Sequence, residues 1–118
     1  MKKYNKEKGD LGEKIAVKFL ENKRYIILEK NFKTKIGEID LIIKDKNIIA
    51  FVEVKFRKNS TYGYPYEAVD IKKQRKIINV AKLYIKIKKL HNVQFRFDIV
   101  EIYKDDKKIN HITNAFWL

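Results

Sequence analysis

Two carboxylates and one ammonium group stand near one another on two segments that alternate apolar and polar residues. Asp40 lies in the segment 37–43, and Glu53 and Lys55 lie in the segment 50–55. The alternation predicts two β-strands, and the short polar stretch between them predicts a hairpin turn. In this hairpin Asp40 lies opposite Glu53 or one diagonal step away, within about 8 Å, and Lys55 shares the face of Glu53.

Acidic oxygens gathered in this way suit a hard divalent cation. Asp40 and Glu53 supply side-chain oxygens and the main-chain carbonyl of Val54 is a third candidate ligand, a donor set that suits Mg²⁺ or Mn²⁺. Lys55 is the candidate for lowering the pKa of an attacking water or stabilising charge on a phosphate. The set predicts metal-dependent hydrolysis of a phosphodiester. The spacing alone is equally compatible with an exposed ion-pair cluster on a half-solvated sheet face.

A further carboxylate, Glu13, belongs to a first helix that we expect to begin near Asp10, a favourable N-cap residue. Glu13 lies at the margin of the apolar side of this helix, close in angle to Ala16 and Leu20. From there it could reach a metal-bound water or a second cation. The alternative is that its charge stabilises the helix N-terminus, worth about 0.3–1 kcal/mol.

A second helix, predicted over about residues 70–89, has one apolar and one basic side. Lys73 and Gln74 lie on the apolar side near its start, where packing on the sheet directs them toward the proposed metal or leaves them at the core boundary. The basic stripe is either a solvated surface or a track for nucleic-acid phosphates. It comprises Lys72, Arg75, Lys76, Lys82, Lys86 and Lys89.

The segment after the second strand of the hairpin predicts a loop that mixes cationic and aromatic side chains. Arg57 and Lys58 precede Tyr62, Tyr64 and Tyr66. Cations beside aromatic rings suit contacts with a nucleic-acid backbone and stacking on exposed bases. The same tyrosines also suit simple packing of the loop against the domain.

The order helix, three strands, helix, two strands predicts one α/β domain over residues 1–118, with a mixed sheet of about five strands flanked by helices. We expect Arg96 and Asp98 to form an ion pair on one strand face. The apolar end Phe116–Leu118 should pack on the core or cover a subunit interface. The other expected segments are a strand at 25–31, a basic connection at 32–36, a strand at 94–103, a turn at 104–107 and a last strand at 108–113.

Composition and charge limit the class of protein. The formal charge of +13 favours a nucleic-acid partner, although abundant Lys, Ile and Asn are also typical of AT-rich genomes. The chain has no cysteine, which excludes disulfides and thiolate zinc sites. His91 and His111 are isolated and lack the spacing of a zinc site. No apolar segment has the length of a signal core or a membrane span, so we expect a cytoplasmic protein without membrane association.

Several motifs together resemble the YraN-like family of small bacterial proteins, within the PD-(D/E)xK nuclease superfamily. The resemblance covers nearly the whole chain, with Ile39 in place of the Pro that names the superfamily motif. The motifs are Gly12-Glu13, Gly37-Glu38-Ile39-Asp40-Leu41-Ile42, Phe51-Val52-Glu53-Val54-Lys55-x-Arg57, Ala68-Val69 before Lys73-Gln74-Arg75, and Arg96-Phe97-Asp98.

The resemblance implies a restriction-endonuclease-like fold similar to that of archaeal Holliday junction resolvases, and a homodimer with two sites. It implies catalytic roles for Asp40, Glu53 and Lys55, a supporting role for Glu13 and a basic residue at Lys73. The leading hypothesis is an endonuclease that uses Mg²⁺ or Mn²⁺ on DNA, including branched or structured DNA. The candidate DNA contacts are Arg57, Lys58, Lys72, Lys73, Arg75 and Lys76.

Two other functions remain compatible with the sequence. The first is a nucleic-acid-binding protein that keeps the nuclease fold without turnover, which would bind with steep salt dependence and show no metal-stimulated hydrolysis. The second is a protein-interaction module whose positive charge reflects only residue usage. The intact set of Asp40, Glu53 and Lys55 favours the enzyme.

Overall fold

The computed structural model describes residues 2–58 and 70–117, with side chains from Asp10 onward. The chain is α/β, with two helices and five strands in the described ranges. The elements are α1 (Lys2–Asn22), β1 (Ile26–Thr34), β2 (Gly37–Asp45), β3 (Ile48–Arg57), α2 (Ile71–Ile87), β4 (Gln94–Tyr103) and β5 (Lys108–Phe116).

The five strands form one mixed open sheet in the order β1-β2-β3-β4-β5. Neighbours are antiparallel except β3 and β4, which are parallel. Parallel strands need a crossover connection, and α2 lies within the segment that links β3 to β4. This arrangement is consistent with the resolvase-like fold that the sequence predicts.

The two helices cover opposite faces of the sheet and create two apolar layers. Ala16 and Leu20 of α1 pack against one face, whereas Ile77, Val80 and Tyr84 of α2 pack against the other. Both layers are built from side chains of the central strands, which explains why β3 is apolar at nearly every position. No helix in the described ranges is long and apolar enough to cross a membrane.

The alternation of β2 side chains between the two faces of the sheet breaks at Asp40. Leu41 lies in the α1 layer, whereas Ile39 and Ile42 both lie in the α2 layer, so the strict alternation that the sequence suggested is wrong here. Opposite Asp40 in the register stands Asn31, whose φ of 52° is left-handed. The side chains of β2 therefore change faces at Asp40, so that Ile39 faces α2 and Leu41 faces α1.

The first helix begins at Lys2 rather than near Asp10, so Asp10 is not its N-cap. The added residues include four lysines and one glutamate, which form helices readily enough to continue through Gly9. Glu13 therefore lies in the middle of α1. Because the charge effect of a helix terminus is confined to the first turn, Glu13 does not stabilise the N-terminus in that way.

Two other bounds differ from the sequence-based expectation. The segment 32–36 is not a connection, since β1 continues to Thr34 and Phe32 pairs with Ile39. The last strand extends beyond 113 to Phe116, because Phe116 stacks on Phe97 with ring centroids 5.1 Å apart. Phe116 thus packs on the core as expected, while Trp117 is exposed.

Three further expectations are confirmed, whereas α2 ends at Ile87, before the predicted end at about residue 89, so Lys89 lies beyond the helix. The strand at 94–103 has the predicted bounds, and α2 begins after Asp70, whose carboxylate accepts a hydrogen bond from the Lys73 amide at 2.8 Å. Arg96 and Asp98 form a bidentate ion pair with two contacts of 2.9 Å.

Candidate active site

The site begins where β2 and β3 separate. The antiparallel ladder ends at the pair Leu41 and Val52, so Asp40 and Glu53 are next in register. Instead of continuing the ladder, Asp40 Oδ2 accepts a hydrogen bond from the Val54 amide at 2.8 Å. The Asp40 side chain therefore takes the place of a main-chain acceptor and is held against β3.

This hydrogen bond also orients the third proposed ligand. In an extended strand the N–H and C=O groups of one residue point to the same side. Because the Val54 amide is directed at Asp40, the Val54 carbonyl is directed to the same side of β3. Two carboxylates and one main-chain oxygen thus face the gap between the strands.

Glu53 is almost fully buried, with 6% of its surface exposed, and its charge is shared by two lysines. Glu53 Oε1 lies 2.8 Å from Lys73 Nζ and 3.8 Å from Lys55 Nζ. Lys55 lies on the face of Glu53, as strand geometry predicts. Lys73 comes from the first turn of α2, so helix packing directs it into the site rather than leaving it at the core boundary.

Burial and the neighbouring charge of Glu53 favour the protonated form of Asp40. Burial, then the charge of Glu53, raises the pKa of Asp40 to about 7, against the opposing hydrogen bond from Val54. Burial and then repulsion from Lys73 lower the pKa of Lys55. Burial also disfavours the charge of Lys73, but the hydrogen bond and charge of Glu53, together with Lys55 and Asp40, outweigh burial and raise the pKa of Lys73. A cation at Asp40 would replace the proton.

Helix α1 closes the other side of the site. Glu13 lines a cavity of about 680 Å³ together with Asp40, Glu53 and Lys55. Its Oε2 accepts a hydrogen bond from Asn31 Nδ2 at 2.9 Å. Helix α1 approaches β3 closely at Gly12, where a Cβ atom would lie 3.2 Å from a ring carbon of Phe56.

The donor set suits a cation that retains water ligands. In the described ranges no three Asp, Glu, His or Cys side chains are arranged to hold a metal ion by themselves. Asp40, Glu53 and the Val54 carbonyl offer fewer oxygens than a protein cage for Ca²⁺ provides, and both lysines approach Glu53 at Oε1. Mg²⁺ or Mn²⁺ fits this set, since Mg²⁺ keeps waters and takes substrate phosphate oxygens.

The proposed DNA contacts fall into separate places. Lys72, Lys73 and Lys76 line a second cavity of about 420 Å³ beside the carboxylates. Arg75 is exposed on α2 but does not line this cavity, and Lys58 is exposed just after β3. The spatial arrangement therefore brings only the α2 lysines next to the carboxylate pair.

Arg57 is held in an internal ion pair. Its Nε lies 3.2 Å from Glu101 Oε2, and Glu101 is fully buried and also accepts a hydrogen bond from Tyr103. Glu101 is adjacent to Lys55 across the parallel β3–β4 pair. Sequence reasoning missed Glu101, although a carboxylate within the apolar run of β4 was the available signal.

A second buried network lies elsewhere on β4. Asp98 is fully buried and accepts hydrogen bonds from Arg96 and from the Asn114 amide, and His111 Nε2 lies 2.8 Å from Asp98 Oδ2. His111 is therefore not isolated. Asp98 lines none of the cavities that contain Asp40 or Glu53, so this network stabilises the β4–β5 pair.

Part of the sequence-based interpretation lies outside the described residues. Tyr62, Tyr64 and Tyr66 of the proposed stacking loop, and Ala68-Val69 of the motif set, belong to the segment 59–69. The same applies to Leu118 at the end of the chain.

Comparison with known proteins decides the family. The family described as "Uncharacterised protein family UPF0102" matches residues 12–102. The chain belongs to the UPF0102 family. A UPF0102 protein of Clostridioides difficile is 56% identical over 112 residues, covering 95% of this chain and 98% of the relative. One from Caldanaerobacter subterraneus is 53% identical, covering 98% and 100%. The range matched to UPF0102 contains Glu13, Asp40, Glu53, Lys55 and Lys73.

Proposed function

We propose that this UPF0102 protein is a metal-dependent endonuclease that hydrolyses phosphodiester bonds in DNA, including branched or structured DNA. The observation that carries the proposal is the convergence of Asp40, Glu53, Lys55 and Lys73 on one partly buried cavity. A buried carboxylate and a half-buried one beside two lysines are costly without a ligand that uses them. A bound cation would neutralise the carboxylates, and a bound phosphate would neutralise the lysines.

The proposed roles follow from the contacts of each residue. Asp40, Glu53 and the Val54 carbonyl would hold Mg²⁺ or Mn²⁺, which supplies Lewis-acid catalysis and a more acidic bound water. The Val54 amide fixes Asp40 Oδ2 in place. Lys73 holds Glu53 Oε1, so that the carboxylate keeps its orientation when substrate enters.

Lys55 is the proposed group for charge and proton control at the reacting phosphate. Its ammonium lines the same cavity and lies 3.8 Å from Glu53. Because it is only partly exposed, its charge acts on a phosphate through little intervening water. Glu13, held by Asn31, is on the opposite wall of the cavity and can accept a proton from a water there.

The acidic character of the site favours an enzyme over a binding protein without turnover. A surface that only binds phosphates gains from lysine and arginine and loses from nearby carboxylates. Here Asp40 and Glu53 line the same cavity as Lys72, Lys73 and Lys76 of α2. The formal charge of +13 supports a nucleic-acid substrate, and the resolvase-like sheet supports structured DNA.

The test is cleavage of a DNA panel by purified protein with Mg²⁺ or Mn²⁺. The panel contains single strands, duplexes, flaps and four-way junctions of the same sequence. We expect Asp40→Asn and Glu53→Gln to lose at least 100-fold in rate, since each removes a charged ligand. The matched control is Asp45→Asn, a similar change at the other end of β2, which should cleave as the native chain does.

Three results would contradict the proposal. Equal cleavage by Asp40→Asn would assign the activity to a contaminant or to another site. Binding of DNA without hydrolysis on any panel member, with either metal, would favour the binding protein without turnover. Absence of salt-sensitive binding would favour the protein-interaction module.

A further inference from the structure

A continuous groove leads away from the carboxylate site toward the β1–β2 turn. A cavity of about 400 Å³ at this turn shares Gly37, Glu38 and Lys76 with the cavity of about 420 Å³ beneath α2. That second cavity shares Lys73, Asp40 and Glu53 with the cavity of about 680 Å³ that contains the proposed ligands. The three cavities adjoin in this order and form what we call the groove.

The outer end of the groove carries an excess of positive charge. Lys33, Lys35 and Lys76 line it and are exposed, and Glu38 is the one carboxylate among its lining residues. None of the three lysines belongs to the ion pairs found in the described ranges. Lysines that converge without a protein partner repel one another and attract an anion.

The turn that carries these lysines is fixed against α2. Thr34 Oγ1 donates to the Gly37 carbonyl at 2.9 Å and accepts from the Ile36 amide at 3.2 Å. Gly37 has a φ of +148°, and a Cβ atom there would lie 3.2 Å from Val80 Cγ2 of α2. The backbone next to Lys35 is therefore held close to the helix that bears Lys76.

We infer that Lys33, Lys35 and Lys76 form a phosphate-binding subsite for the nucleic-acid strand on one side of the cleaved bond. The inference rests on the proposed function, because the groove joins this subsite to the proposed catalytic cavity. From Asp40 to Gly37 a strand covers roughly 10 Å. The subsite thus meets a phosphate beyond the reacting one, farther along the same strand.

Charge and continuity together favour a nucleic-acid strand as the occupant. A single small anion would need only one of the cavities, whereas lysines continue through Lys72 and Lys73, beside the carboxylates of the middle cavity, to the proposed cleavage position. A chain of phosphates at regular spacing contacts each of these places at once. The consequence is a substrate requirement: the strand must extend past the β1–β2 turn.

The experiment compares two pairs of lysines located at the two ends of β2. Lys33→Ala with Lys35→Ala removes two charges from the groove, and Lys44→Ala with Lys46→Ala removes two charges at the β2–β3 turn. The two turns are roughly 25 Å apart by strand rise. Binding of a fluorescent DNA duplex is followed by anisotropy in EDTA at several NaCl concentrations, and thermal melts confirm folding.

The groove pair should weaken binding at least tenfold at 0.1 M NaCl. If each lysine contacts one phosphate, the slope of log K against log salt should fall in magnitude by about 1.8. The control pair should change affinity by less than threefold. Equal losses of DNA affinity in both pairs would show that only net charge matters and would overturn the subsite. The subsite would also be overturned if the groove pair lost no affinity, or if the native chain did not bind DNA.

The binding assay separates this inference from the proposed function. It is performed without metal and does not require hydrolysis. A difference between the two pairs without any cleavage by the native chain would retain the subsite and reject the nuclease. Metal-dependent cleavage that Asp40→Asn abolishes, with the two lysine pairs indistinguishable in binding, would retain the nuclease and reject the subsite.

Discussion

Replacing Asp40 with Asn should stabilise the metal-free protein at alkaline pH while removing a proposed ligand. Burial and then the charge of Glu53 raise the pKa of Asp40 from 3.8 to about 7. The folded protein therefore binds this proton more tightly than the unfolded chain does. The free energy of unfolding must fall as pH rises from about 4 to about 7, and the loss is complete above pH 7.

The size of the effect follows from the shift. A rise in pKa from 3.8 to about 7 corresponds to at most about 4 kcal/mol, at about 1.4 kcal/mol for each pKa unit. Asp40 keeps some contact with water, so we expect about 2–3 kcal/mol at pH 8. An Asn side chain can still accept the hydrogen bond from the Val54 amide through its carbonyl oxygen, so that contact is retained.

Urea unfolding in EDTA at pH 4, 6 and 8 measures the effect. The gain in unfolding free energy of Asp40→Asn over the native chain should be near zero at pH 4 and largest at pH 8. Asp45→Asn, at the far end of β2, is the control and should show no such rise. A variant that is less stable than the native chain at pH 8, or a difference that does not depend on pH, would refute the electrostatic argument.

Three further predictions concern the same region. Adding Mg²⁺ at pH 8 should raise the unfolding free energy of the native chain, in proportion to the logarithm of the Mg²⁺ concentration above Kd. The unfolding free energy of Asp40→Asn should not change, and calorimetric melts measure both. Lys73→Met should lower the cleavage rate at least tenfold, because Glu53 Oε1 loses the ammonium group that lies 2.8 Å away. Lys73→Arg should recover part of the lost rate. Gly37→Ala should cost about 1–3 kcal/mol in urea unfolding, because a φ of +148° strains any side chain.

Local sequence patterns were sufficient for most of the framework. The strand at 94–103 and the start of α2 near Asp70 were predicted because strand period and helix period depend on nearby residues. The start of α1 was not predicted, since Gly9 and Asp10 suggest a boundary that the flanking helix formers override. Whether a segment forms a helix or a strand depends mainly on nearby residues. The residue at which the segment ends depends on what that end packs against.

Contacts between distant segments could not be predicted in this way. Glu101 reaches Arg57 because β3 and β4 are parallel neighbours, and His111 reaches Asp98 because β5 returns beside β4. Neither partner choice follows from spacing along the chain. Sheet order determines it, and sheet order is a property of the whole core.

The sequence by itself determined that a hairpin presents Asp40, Glu53 and Lys55 together, because strand period and turn length are short-range. Only the tertiary structure decided that Lys73 reaches Glu53, since this requires α2 to pack on the sheet through its apolar side. The tertiary structure also decided how Asp40 is held. The break in alternation opposite Asn31 depends on pairing between β1 and β2, which no pattern within one strand reveals.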